Sequence, residues 1–157
     1  MGFVCQGRYA LAPIEPTDAE KYVNLQLDCM EQTYDPIYFD ALGESFTARH
    51  RAERNEYLED FHRHLASPTV RGFFAYEVPG WTSDGGLSCA VGTQIDWDKP
   101  VGMALSLCEP SSWELERADT LPELPAGTRK LTHLYTLDHT HGTGLGQALY
   151  DSVIYPD

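Results

Sequence analysis

Several things are scarce in this sequence, and each scarcity removes a class of protein. No apolar run approaches the roughly 18 residues that a membrane-crossing helix needs. The first sixteen residues, MGFVCQGRYALAPIEP, lack both the basic start and the long apolar core of a secretory signal. Gly2 is followed at position 6 by Gln rather than Ser or Thr, so the myristoylation pattern is not met. Cations are few: 11 Lys and Arg stand against 24 Asp and Glu, a net charge of −13. A surface that binds nucleic acid must neutralise phosphates, so no nucleic-acid partner is expected. The cysteines Cys5, Cys29, Cys89 and Cys108 form no CxxC pair and read as reduced thiols of a cytoplasmic protein. The histidine pairs His62/His64 and His139/His141 lie two apart, not the three or four that set two ligands on one helix face, so no metal site is expected.

What remains is ordinary for one folded unit. With 157 residues, 42% of them hydrophobic, the chain reads as a single domain spanning 1–157 with a real core. Its acidity suits a cationic small substrate drawn in by the field of the whole protein. Tyr9 to Ile14 forms a short apolar strand, stopped at Glu15-Pro16. Thr17-Asp18-Ala19-Glu20 has the form of a capping box. The helix after it lines up Ala19, Val23, Leu27, Met30 and Tyr34 on one face. Asp35-Pro36 then reads as the opening of a short second helix, closed by Gly43. Ser45 or Thr47 caps a charged helix that runs to about Leu65 and stops at Ser67-Pro68. Val70 to Val78 and Val101 to Cys108 have strand composition, while Ser88 to Trp97 reads equally as strand or insertion. Glu109 to Gly127 is an acidic, proline-containing loop with a short helix at Trp113 to Ala118; its run from Glu109 to Glu123 reads first as a solvated loop and second as a binder of a cationic amine. The order of elements predicts an α/β or α+β domain with a central sheet flanked by helices.

The most informative stretch is Leu131 to Ile154, LTHLYTLDHTHGTGLGQALYDSVI. An apolar strand enters a turn with glycines at 142, 144 and 146, and a helix with Leu145, Ala148, Leu149 and Val153 on one face follows at once. Strand, glycine turn and helix together aim free backbone N–H groups at an anion such as a phosphate. Gly146 is followed by Gln147 rather than Lys, which excludes a Walker loop. The spacing is G-x-G-x-G with only 11 residues beyond Gly146, which excludes a dinucleotide fingerprint.

His141-Gly142-Thr143-Gly144-Leu145-Gly146 resembles the Q/R-x-x-G-x-G/A signature of the GNAT family, the acetyl-CoA-dependent N-acetyltransferases. Leu134-Tyr135-Thr136-Leu137 is similar to the family's fourth strand, and Gln147-Ala148-Leu149-Tyr150-Asp151 to the helix after it. Upstream, Glu31-Gln32-Thr33-Tyr34 and Tyr38-Phe39-Asp40-Ala41-Leu42 resemble the first two helices, and Val101-Gly102-Met103-Ala104 the third strand. The resemblance implies a GNAT-like mixed central sheet and acetyl-CoA as cosubstrate. It implies that strand backbone near Leu137 pairs with the pantetheine arm. It further implies that the amides from Gly142 through Thr143, Gly144 and Leu145 to Gly146 hold the pyrophosphate, with the His141 imidazole donating a hydrogen bond to the coenzyme. The implied reaction is acetyl transfer to a primary amine of a small molecule or peptide. The alternative is a non-catalytic coenzyme A-binding or interaction module.

Three departures accompany it. His141 stands for Gln or Arg, and Lys130 stands where many members carry a Glu. The family's fifth strand, fourth helix and closing hairpin have no counterpart, so the fold is expected without its C-terminal strands and helix. Leu131 to Leu137 would then be an apolar edge, open to pairing with a second copy in a homodimer. His133, on that strand, is the candidate for a base, with an ordinary half-buried strand residue as the competing reading.

Overall fold

The computed structural model describes residues 2–81, 94–117 and 123–155. Five strands form one sheet in the order β1 (Val4–Gln6), β2 (Tyr9–Pro13), β3 (Arg71–Glu77), β4 (Gly102–Leu107) and β5 (Lys130–Thr136). Every pairing among them is antiparallel. Between β2 and β3 lie α1 (Ala19–Leu42), α2 (Phe46–Ala52) and α3 (Arg54–Leu65). The short α4 (Ser112–Leu115) lies between β4 and β5, and α5 (Leu145–Ile154) follows β5.

The period of two along β2 sorts its side chains between two cores. Ala10 and Ala12 join Tyr22, Leu25, Cys29, Phe61, Phe74, Met103 and Leu105 on the α1 side. Tyr9 and Leu11 join Ala75, Ala104, Leu145, Leu149 and Val153 on the α5 side. Covered on both faces, β4 is buried along its whole length, which explains its nearly unbroken apolar sequence. Gly102 in β4 is required by packing. A Cβ there would lie 3.1 Å from both Leu145 and Leu149 of α5 and 3.3 Å from Thr136.

The stripe Val23, Leu27 and Met30 is buried, and it faces mainly α2 and α3 through Phe46, Tyr57 and Leu58, touching the sheet only through Tyr135 of β5. A second stripe, Tyr22, Leu25 and Cys29, faces the sheet, so this part of α1 is sandwiched. The sequence pattern showed the first stripe and not the second.

The expected break at Asp35-Pro36 is absent: α1 runs through Pro36 to Leu42, ending at Gly43 in the left-handed conformation. Proline forfeits one backbone bond to the preceding turn, and the helix continues past it. Asp35 does cap a helix, but a later one. Its carboxylate accepts from Ser45 Oγ at 2.6 Å, Thr47 Oγ1 at 2.7 Å and Thr47 N at 2.8 Å, beside the start of α2. Ser45 caps α2 as expected, accepting from Ala48 N at 3.1 Å. The helix that follows is divided at Glu53 into α2 and α3. The box before α1 is shifted by two residues, with Asp18 accepting from the N–H of Glu15 at 2.8 Å. Of the ambiguous segment 88–97, residues 88–93 lie outside the described residues and residues 94–97 form no strand.

Cys5 is disulfide-bonded, which corrects the expectation that all four cysteines are reduced, while Cys29 and Cys108 are free thiols. Burial pushes the Cys29 thiol up to about 12, which leaves it inert. No helix among the described residues is long and apolar enough to cross a membrane.

Candidate coenzyme and amine site

β5 pairs with β4 alone, so among the described residues its other edge is open. The N–H of Leu137 turns inward to the carbonyl of Val101 at 2.9 Å. Its carbonyl accepts from Thr140 N at 3.0 Å and from Thr140 Oγ1 at 2.6 Å. In an antiparallel ladder the direction of backbone groups alternates. The groups facing the open edge are therefore those of Thr136 and Leu134, one and three residues before Leu137.

After β5 the chain tightens into a 3₁₀ turn at Asp138–Thr140. Gly142 (φ 79°) and Gly144 (φ 87°) then adopt the left-handed conformation that other residues rarely take. Leu145 opens α5, whose first internal bond runs from Ala148 N to Gly144 O at 3.1 Å. The N–H groups of Gly142, Gly144, Leu145, Gly146 and Gln147 meet no acceptor among the described residues. A Cβ built on Gly146 would touch nothing within 4 Å, so this side of the first turn of α5 is open, while Leu145 on its other side is buried. These five unsatisfied donors, at the positive end of a ten-residue helix, are the kind of groups that an anion such as a phosphate would need.

The side chains of the turn divide the work. His141 is exposed, and its Nε2 lies 3.3 Å from the carbonyl of Thr136. His139 pairs with Glu77 instead of joining His141. Thr143 is anchored from β2, with Tyr9 Oη at 2.9 Å. No group of three metal-capable side chains occurs among the described residues.

The α1 side of β5 borders a cleft of about 780 Å³ lined by Asp60, His64, Glu109, Glu114, Lys130 and His133, among others. His133 is half-buried, and desolvation is the main cause that lowers its imidazole to about 4. It is neutral at pH 7. Burial also lowers His64, whose ring lies 5.5 Å from that of His133. Lys130 does not stand alone in the place of the expected carboxylate. Glu114 reaches across from α4 to its ammonium at 2.7 Å and accepts from Ser111 N at 2.6 Å. The Lys130 bond, then the Ser111 amide, hold the Glu114 carboxyl below the usual range. Glu109 is likewise held low by the hydroxyls of Ser67 and Thr69. The structure thus places carboxylates from the acidic loop beside the strand. The sequence carried the acids but no signal for the Glu114–Lys130 pairing.

The fold is that of the GNAT acyltransferases: an antiparallel sheet ending in the strand that delivers the glycine turn, with helices on both faces. An aminoglycoside N-acetyltransferase AAC(6')-Iy in complex with CoA matches at a TM-score of 0.51 and 12% identity, covering 96% of this chain and 70% of that one. The same enzyme with a CoA–acetylneamine bisubstrate analogue gives 0.49 and 12%, with coverages of 92% and 68%. A ribosomal-protein-alanine N-acetyltransferase from Brucella melitensis gives 0.43 and 13%, with coverages of 91% and 66%. No family model and no curated protein sequence matches the chain.

Proposed function

We propose that the protein is an acetyl-CoA-dependent N-acetyltransferase acting on a primary amine of a small molecule or peptide. The observation that carries the proposal is the row of five unsatisfied N–H groups from Gly142 to Gln147, set directly beyond an open strand edge. That row suits the pyrophosphate of coenzyme A, and the outward-facing backbone groups of Leu134 and Thr136, the Thr136 carbonyl being shared with His141 Nε2, suit the amides of the pantetheine arm. Leu137 and His141 contribute by fixing the ends of this path, and Thr143, Leu145 and Gly146 by shaping the cradle.

The arm would bring the thioester beside β5. An amine that has given up its proton attacks the thioester carbonyl, the C–S bond breaks, and the coenzyme leaves as its thiolate. The role of the protein is then to position the partners and accept one proton. Glu109 and Glu114, ionised in the adjoining cleft, suit an ammonium group. His133 is poorly suited to removing the proton: it is weakly basic, and its Nδ1 already faces the Tyr22 hydroxyl at 2.6 Å. That same observation favours the second reading, a module that holds coenzyme A without turnover.

Two measurements on the full chain decide between them. Acetyl-CoA at one hundred times its dissociation constant should stabilise the fold by about 2.7 kcal/mol, seen as a raised melting temperature. Release of free thiol on adding an amine panel supports the enzyme. Stabilisation without thiol release supports the module, and no stabilisation sinks both.

A further inference from the structure

A tyrosine far from the glycine turn in sequence is bonded to its centre. Tyr9 of β2 is 3% exposed, packed among Leu145, Leu149 and Ala75, and its hydroxyl lies 2.9 Å from Thr143 Oγ1. The direction of this bond follows from its neighbour. Thr143 Oγ1 lies 2.5 Å from the carbonyl of Thr140, which can only accept, so the Thr143 hydroxyl donates there. Its single proton is thereby used, and the Tyr9 hydroxyl must donate to Thr143. The relay continues through Thr140, 1% exposed, whose own hydroxyl donates to the carbonyl of Leu137 at 2.6 Å. Donors thus run in one direction, from the sheet interior through the turn and back to the end of β5.

Thr143 sits between the two left-handed glycines, Gly142 and Gly144. Those glycines have the widest backbone freedom in the segment, and the entropy of fixing them opposes an ordered cradle. The single side chain between them is the one held from the core. We propose that Tyr9 is a positioning residue for the anion site: its hydroxyl, acting through Thr143, holds the glycine turn in the conformation that presents the N–H row. The inference rests on the coenzyme reading for the identity of the anion, though the anchor itself does not depend on it. Neither the glycine signature nor the strand pattern around Tyr9 announces this link, because 134 residues separate the two hydroxyls.

The test is a double-mutant cycle with coenzyme A as the probe, together with amide exchange by NMR on the unliganded protein. Tyr9→Phe and Thr143→Val should each raise the coenzyme dissociation constant about three- to tenfold, the range of one hydrogen bond. The double variant should be no weaker than the weaker single, because either change breaks the same bond. Thr143→Ser keeps the hydroxyl and should bind like the parent. In Tyr9→Phe the bonded amides that close the turn, Thr143 N to the Thr140 carbonyl and Ala148 N to the Gly144 carbonyl, should exchange faster while those of β3 and β4 stay protected, a local response that general destabilisation would not give. Additive losses in the cycle, or unchanged exchange at the turn in a folded Tyr9→Phe, overturn the proposal. If the parent binds no coenzyme A, the coenzyme reading falls alone, and the exchange rates still decide the anchor.

Discussion

The hydroxyl of Tyr22 lies 2.6 Å from Nδ1 of His133, joining the first helix to the strand that carries the candidate site. Burial pushes the Tyr22 phenol well above its ordinary value and lowers His133 to about 4, so tyrosine donates and neutral imidazole accepts. The imidazole proton then resides on Nε2.

This pairing predicts an acid limb of stability. His133 takes up a proton at about 6.5 when unfolded but only near 4 when folded. Between those values the unfolded state binds more protons, so stability is complete above about pH 6.5 and falls as pH drops toward 4. The loss from His133 amounts to about 3 kcal/mol, with His64 acting in the same direction. Denaturant midpoints taken at half-unit steps across that window should slope downward. His133→Gln, which can still accept from Tyr22, should flatten most of the slope; a parallel slope in the variant would show that other groups control it.

Gly146→Val separates binding from folding. Of its added carbons the Cβ meets nothing within 4 Å, and helical propensity makes the change inexpensive to the fold. They would, however, stand where an anion must approach the amides. Coenzyme A affinity should drop more than about tenfold while the melting temperature stays within a few degrees; unaltered calorimetric affinity would locate the coenzyme elsewhere.

Asp35 is expected to matter for stability rather than chemistry. Removing it by Asp35→Ala strands the hydroxyl and N–H of Thr47, which is 1% exposed, and removes the acceptor of Ser45. The hydroxyls of Ser45 and Thr47 hold the Asp35 carboxyl below its usual range, so this contribution is present at neutral pH and lost as the group protonates in acid. Thr47→Val should cost about 1 kcal/mol in chemical denaturation by leaving one carboxylate oxygen short of a donor. Equal stability of the parent and Asp35→Ala at pH 7 would show the cap to be idle.

The open edge of β5 carries a prediction of its own. Leu134, 38% exposed, and the free backbone groups beside it form an unprotected strand edge. We expect pairing with a second copy, visible as a mass that rises with concentration in light scattering, and Leu134→Lys should abolish it. A constant monomer mass in the parent would exclude such pairing. Added coenzyme A should compete with it, since both need the same edge.

The elements legible in the sequence were those whose periodicity had one dominant cause. Tyr9 to Ile14, Val70 to Val78 and Val101 to Cys108 read as strands because two cores sort their side chains, or bury all of them. The glycine turn was legible because its backbone conformation restricts residue choice. What stayed hidden depended on contacts distant in sequence. Asp35 carries the sequence marks of a cap for its own neighbourhood, yet its partners lie 10 and 12 residues further on. Glu114 restores a carboxylate beside Lys130 from across a loop, and no local pattern encodes a partner 16 residues away. Tyr9 and Thr143 are the extreme case.

Helix α1 has 24 residues and so a length of about 36 Å, yet only its first half is enclosed. Beyond Met30 the packing thins: Tyr34 and Tyr38 still lie against Phe46 of α2, while Ile37, Phe39 and Leu42 stand 60–65% exposed. A single helix therefore combines two regimes of protection. Opening near Leu42 has little packing to undo, whereas opening near Leu27 must dismantle the core between α3 and the sheet. Fraying is thereby expected at the end remote from Tyr22, and the strand bearing the site is braced by the half of the helix packed between α3 and the sheet.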